Sequence, residues 1–358
     1  MTSPDTLQKV LSGYGLTNRH IVITPHGNGL INNTWKVSDD GNEYILQRIN
    51  YAVFKQPQDI EYNIHQIAGY LTINHPGYLF TVPVKTKDGK EMASETGEGY
   101  FRLFPFIKNS FTIDVANTPP EAFEAARQFG LFTRMLAGFP ADSLKTTIPD
   151  FHNLSLRFQQ FKDACKHGND ERIKQSANAI QFIYEHNHSV KEFQHIKTDP
   201  GFILRVTHHD TKISNVLFDT NGKGLCVIDL DTVMPGYFIS DVGDMMRTYL
   251  SPVSEEEKDL NKIEVREEFF KAIVEGYLQE MSNELSESEL QHFVYAGMFM
   301  IYMQAVRFLT DHLIKDKYYG AAYEDQNFVR ANNQITLLQK ILEKENILDK
   351  ILRKYLSQ

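Results

Sequence analysis

The sequence predicts an α+β chain of two lobes: a β-rich N-terminal part with one main helix, then a larger, mostly helical C-terminal part that carries one hairpin. Three observations predict it. Residues 21 to about 106 are short β-rich runs separated by glycine, aspartate and asparagine turns. Beyond residue 118 apolar residues recur at helical spacing, and inside that helical half lies one β island, "NVLFDTNGKGLCVIDLDTV", folded at Asn221-Gly222. A chain of 358 residues is long enough for two such units, since domains usually hold about 100–200 residues. The texture changes across "FRLFPFIKN", which sets the expected division at 1–107 and 108–358.

In order, "HIVITPHGNGLINNTWKV" reads as two strands around a glycine-containing turn, and "EYILQRIN" as a third after Asp39-Asp40-Gly41. Ile60, Ile64, Ile67, Ala68 and Leu71 then share one helical face. "FTVPVKTKDGKEMASETGEGYFRLFPFI" supplies further strands, turned at Asp88-Gly89. Thr118 caps the next helix, Pro119 suits its first position, Glu121 completes a capping box, and Gly138 with Pro140 stops it. Helices are expected over residues 154–167, 170–186, 264–281, 286–314 and 332–356. The last, with Ile335, Leu338, Ile341, Leu342 and Leu348, is read as core packing rather than a dimer coil, so a monomer or weak dimer is expected.

Composition narrows the functions. A net charge of −9 gives no general field for a nucleic acid, so any anionic ligand must be held by local groups. The N-terminus lacks the apolar core of a signal peptide, and "FVYAGMFMIYM" is interrupted by Gln304 and Arg307 before it spans a bilayer; a cytoplasmic protein without a membrane partner is the expectation. Cys165 and Cys226 are far apart and indicate neither a disulfide framework nor a thiolate zinc site.

The hairpin concentrates carboxylates. Asp210 precedes its first strand by a short loop, Asn215 follows five positions later, and Asp229 and Asp231 end the returning strand in "VIDLD". Ordinary turn chemistry explains Asp, Asn and Thr before a strand. Two carboxylates ending an apolar run, however, are costly without a cation or hydrogen-bonding partners. An Asn and an Asp at the end of the returning strand, converging with Asp210 on one face, are oxygen ligands of the kind that suits Mg²⁺, which would leave Asp210 to accept the proton of an attacking hydroxyl. Zinc on His208 and His209 is the competing interpretation, weakened because neighbours on an extended backbone point to opposite faces. Asp241 and Asp244 are expected to steady this loop.

In the N-terminal half, Gly27, Asn28 and Gly29 form a turn whose N–H groups can approach phosphates, with Asn33 and Thr34 adding polar contacts. Arg48 is the expected phosphate cation and Glu61 its partner, the alternative being a surface strand arginine. Phe104 and Phe106 are placed around an adenine, or else in a packed linker. On the long helix, Arg307 either pairs with Asp311 one turn on or grips a polar substrate, with Tyr318 and Tyr319 following as sugar-packing rings.

Together these residues resemble the aminoglycoside phosphotransferase and choline kinase family, relatives of protein kinases that carry H-x-D-x-x-x-x-N followed by I-D. Here the motifs read His208-His209-Asp210-Thr211-Lys212-Ile213-Ser214-Asn215 and Ile228-Asp229. The resemblance implies a protein-kinase-like bilobal fold, ATP and Mg²⁺ as cofactors, Asp210 as catalytic base, and Asn215 and Asp229 as metal ligands. Within the family, "GNGLINNTW", "YILQRIN", "VIDLDTVMPG" and "RFLTDHL" are similar to kinases that phosphorylate the anomeric hydroxyl of N-acetylhexosamines. That similarity implies a sugar substrate whose anomeric hydroxyl meets Asp210 and whose ring meets Arg307, with Asp231, Tyr318 and Tyr319 as further expected contacts. Two departures stand out: the turn lacks the third glycine of protein kinases, and Arg48 stands where many kinases place lysine.

Overall fold

The computed structural model describes residues 2–17, 20–27 and 31–357. It begins with a helix not anticipated from the sequence, α1 (Pro4–Gly13), whose Ser3 hydroxyl caps Thr6 N–H and whose Pro4 occupies the first turn. There follow β1 (Val22–Pro25), β2 (Asn33–Asp39), β3 (Asn42–Arg48), α2 (Pro57–Asn74), β4 (Ala93–Glu95) and β5 (Gly99–Pro105). The strands form one antiparallel sheet in the order β1-β2-β3-β5-β4. Residues 80–84, expected as strand, make only a single backbone bond to β5, from Val84 N–H to Leu103 C=O. Pro83 has no N–H to extend the ladder.

Strand alternation gives the sheet two faces. Val37, Leu46, Phe101 and Leu103 pack with Leu7, Val10 and Leu11 of α1 in a small core of their own. Thr34, Gln47, Arg102 and Phe104 therefore leave on the opposite face, toward the rest of the chain.

The second part comprises β6 (Ser110–Phe111), α3 (Pro119–Met135), α4 (Leu154–His167), α5 (Asp170–Gln175), α6 (Ala177–Glu185), α7 (His188–Ile196), β7 (Arg205–Thr207), β8 (Val216–Asp219), β9 (Gly224–Val227), β10 (Met234–Gly236), α8 (Phe238–Tyr249), α9 (Glu267–Met281), α10 (Glu287–Gln291), α11 (Phe293–Leu313) and α12 (Gln326–Leu356). The capping box at Thr118 and Glu121 forms as expected. Two expected helices are each divided, at Ser176 and at His292, and α7 was not anticipated. The hairpin β8–β9 gains β6 as a third strand, and β7 pairs with β10 beside it. The fold is α+β and kinase-like, with a sheet lobe and a helical lobe.

Helix α11 is long and apolar enough to cross a bilayer by length and composition, but in this fold it is the buried centre, packed by α4, α8 and α12. Helices α3 and α9 approach closely because Gly130 and Gly276 present bare backbone to each other's helix.

Candidate active site

The loop between β7 and β8 is built by hydrogen bonds from α8. The Asp241 carboxylate accepts the N–H groups of His208 at 3.0 Å and His209 at 2.7 Å, and Asp244 accepts that of Thr211 at 2.9 Å. The Thr211 hydroxyl donates to the Asp241 carbonyl, and the Tyr249 hydroxyl donates to the Thr211 carbonyl. His209 takes a left-handed φ of 65°, unfavourable for a β-branched or bulky residue and held here by these bonds. Burial pushes the Asp241 carboxyl up to about 7, even though the two donated N–H groups pull the other way.

Asp210 projects from this loop. Its Oδ1 lies 3.1 Å from Lys212 Nζ, and its Oδ2 accepts the Asn215 amide at 3.1 Å. The same amide also donates to the Asp210 carbonyl, which orients Asn215 and leaves its amide oxygen for another partner. Burial disfavours the Lys212 ammonium, but the charges of Asp210 and Asp244 more than offset it and raise its pKa. A fixed cation beside a fixed carboxylate was missed in the sequence, although Lys212 lies inside the motif.

Asp229 reaches the same place from β9. Ile228 N–H donates to the Asn215 carbonyl at 2.9 Å, so the two strands of the hairpin deliver Asn215 and Asp229 together. Asp229 adopts φ 60° and ψ 59°, a left-handed turn that leaves its side chain open to solvent. Crowding by protein and the charges of Asp231 and Asp210 raise its carboxyl to about 7. Its side chain faces water on one side and the Asp231 and Asp210 carboxylates on the other, and the carboxylates repel it. A pair of oxygen donors under such repulsion suits Mg²⁺, which accepts one or two protein ligands and completes its shell with water and phosphate oxygens.

The two histidines diverge. His208 Nε2 lies 2.9 Å from the Ile228 carbonyl, which can only accept, so the neutral ring is inferred to carry its proton there. His209 turns instead to His152, with Nδ1 atoms 3.3 Å apart. No group of three or more His, Cys, Asp or Glu side chains is arranged around a metal among the described residues.

Several nucleotide-side expectations change. Arg48 leaves the sheet on the α1 face and binds Glu98 at 3.0 Å and the Thr2 hydroxyl at 3.1 Å, not Glu61. Glu61 lies instead beside Glu91, and its pKa is raised first by burial and then by that charge. On the opposite face, which Lys36 shares, lies Arg102, 2% exposed, which donates to Gln47 Oε1 and pairs with Asp231. Strand alternation in "YFRLFP" held that signal, but only the position of α1 says which face is the cleft. Asp231, expected to touch substrate, is buried under Arg102 and Asn32, whose amide donates to it at 2.7 Å. Thr34 shares the Arg102 face, whereas Asn33 lies on the other. Phe104 lies under the Arg102 guanidinium at 5.1 Å; Phe106 packs against Lys36 and His26. Gly27 has a left-handed φ of 74°, while Asn28 and Gly29 lie outside the described residues.

Residues 22–284 match the phosphotransferase enzyme family APH, which is most of the chain. The chain belongs to that phosphotransferase family. Solved structures share its fold across nearly their whole length at low identity. A microcompartment-associated aminopropanol kinase is 16% identical, with 97% of this chain and 98% of that one covered and a TM-score of 0.63. Spectinomycin phosphotransferase in complex with ADP and spectinomycin is 13% identical, with 95% and 99% covered at 0.60. Choline kinase from Cryptosporidium parvum is 16% identical, with 97% and 96% covered at 0.55.

On α11, Arg307 is 7% exposed and does not pair with Asp311. Asp311 instead accepts the N–H groups of Tyr318 and Tyr319 at 2.7 and 2.8 Å and the Asn327 amide. Arg307 is left with Gln304 at 3.2 Å, the Tyr318 hydroxyl at 3.4 Å, and the ring faces of Phe151, Tyr318 and Tyr319 at 5.3–5.7 Å. Phe151 stacks on His152, which meets His209, the residue before Asp210. The predicted trio of Arg307, Tyr318 and Tyr319 is therefore one cluster, joined to the loop that carries Asp210 by these rings.

Proposed function

We propose that this phosphotransferase is an ATP- and Mg²⁺-dependent N-acetylhexosamine 1-kinase. The observation that carries the reading is the convergence of Asp210, Lys212, Asn215 and Asp229 on one cleft. Asp210, oriented by Asn215, accepts the proton of the sugar's anomeric hydroxyl as that oxygen attacks the terminal phosphorus of ATP and the bridging P–O bond breaks, its electron pair leaving with ADP. Lys212 offsets charge beside it, and Arg102 holds Asp231 in place through their buried ion pair. Asn215 and Asp229 would hold Mg²⁺, which would supply neutralisation of charge during transfer. Positioning and electrostatic stabilisation supply most of the rate. That spectinomycin phosphotransferase was solved with ADP supports ATP as donor.

The sugar assignment rests on the motif similarity, with Arg307 and the tyrosines as its contacts. Structural relatives include kinases of aminopropanol, choline and ethanolamine. An ADP-release assay over N-acetylglucosamine, N-acetylgalactosamine, other sugars and amino alcohols tests the reading, with phosphorus NMR locating the new ester. Faster turnover of any amino alcohol than of both hexosamines overturns the sugar assignment.

A further inference from the structure

A cavity of about 440 Å³ lies between α4 and α11, beneath the turn that carries Tyr318 and Tyr319. It is offset from the catalytic cleft, and Asp210, Asn215 and Asp229 do not line it. Two arginines do. Arg157, on the first turn of α4, donates to Gln160 Oε1 at 3.1 Å and to the Asp150 carbonyl at 2.9 Å, while its Nε is buried without a partner. Arg307 faces it from α11 with only neutral partners, Gln304 and Tyr318. Every hydrogen-bond partner described for either guanidinium is uncharged.

The two carboxylates on the wall, Asp311 and Asp163, keep their charge but bond to neither guanidinium. Both Asp311 oxygens are engaged by backbone N–H groups of the tyrosine turn, and Asp163 accepts from Gln159 at the surface. Burial, and then the charge of Arg307, lowers the Arg157 pKa, so the pair repel each other. Ring faces at more than 5 Å compensate a buried guanidinium only in part. A bidentate oxyanion is the partner such a pair lacks.

We propose that this cavity is a binding subsite for a small oxyanion, a phosphate monoester or a carboxylate, gripped between Arg157 and Arg307. The anion has two possible sources. It is either a substituent of the acceptor, remote from the hydroxyl that reaches Asp210, or a separate small molecule bound beside the acceptor. The first source rests on the kinase reading above; the second does not.

Calorimetric titration separates these cases. N-Acetylglucosamine 6-phosphate and inorganic phosphate are each titrated into the wild-type chain, Arg157→Gln and Arg157→Lys, at low and high NaCl. The expected result is saturable wild-type binding that weakens with salt, falls about tenfold or more in Arg157→Gln, and is partly kept by Arg157→Lys. Phosphate that binds alone and competes with the sugar phosphate assigns a separate anion; binding of the sugar phosphate only assigns an acceptor substituent. Absence of saturable heat with both probes in the wild type overturns the proposal whether or not the variants fold. So does salt-independent binding, or affinity within twofold between wild type and Arg157→Gln. Neutral N-acetylhexosamine turnover is scored separately by ADP release, so failure of the kinase reading is not mistaken for failure of the subsite.

Discussion

Asp229 is a carboxylate in left-handed backbone with two other carboxylates for neighbours. Its raised pKa has a definite consequence for stability. A group whose folded pKa lies above its unfolded value near 3.9 contributes stability below that value and loses it as pH rises through about 7. Asp229→Asn is therefore expected to raise the melting temperature of the metal-free protein at pH 8, with the gain shrinking toward pH 4. Melting curves across that range check it, and a gain independent of pH counts against the repulsion. Asp210 has a different task, because Asn215 and Lys212 hold it in place without removing it from the cleft. Asp210→Asn is expected to lower kcat by about 10²–10⁴-fold while nucleotide affinity stays near wild type. Near-normal turnover in that variant would remove Asp210 from the role of base.

At the scale of elements, the catalytic loop has little regular structure of its own and borrows its shape from α8. Asp241 satisfies two consecutive buried N–H groups and lets His209 keep its left-handed backbone. Asp241→Ala leaves both donors unpaired and is expected to cost about 2–4 kcal/mol, read from urea unfolding. A loss under about 0.5 kcal/mol would mean that the loop holds without α8. The contact of α3 with α9 depends on another local feature, the absence of a Cβ at Gly276 where the Phe123 carbonyl approaches. Gly276→Ala forces the helices apart and is expected to cost about 1–3 kcal/mol; a matching fall in melting temperature checks it.

Across the whole molecule, the lobes are tied at the point where chemistry is placed. Arg102 from the sheet and Asn32 from the turn before β2 both hold Asp231, two residues after Asp229. Asn63 of α2 adds bonds to the Lys145 and Val233 carbonyls. These ties set the height of the sheet over the hairpin. Arg102→Met is expected to raise the ATP KM and to speed amide exchange around residues 230–232, whereas Arg48→Ala, on the α1 face, keeps the ATP KM within about twofold. The reverse ranking would restore Arg48 as the phosphate cation.

Periodicity by itself determined the two-lobed α+β plan, the Thr118 cap and the hairpin at Asn221-Gly222, because alternation and helical spacing are properties of neighbouring residues. The spacing of Asp210 and Asn215 was legible for the same reason. Tertiary structure decided which side of the sheet was covered by α1, and so placed Arg48 beside Glu98 and Arg102 beside Asp231. It decided that Asp311 would serve the backbone of the tyrosine turn rather than Arg307, since a folded turn offers two N–H groups against one exchangeable ion pair. It also drew Asp231 to an arginine far back in the chain. Each of these choices depends on which surfaces meet, and local spacing carries no information about that.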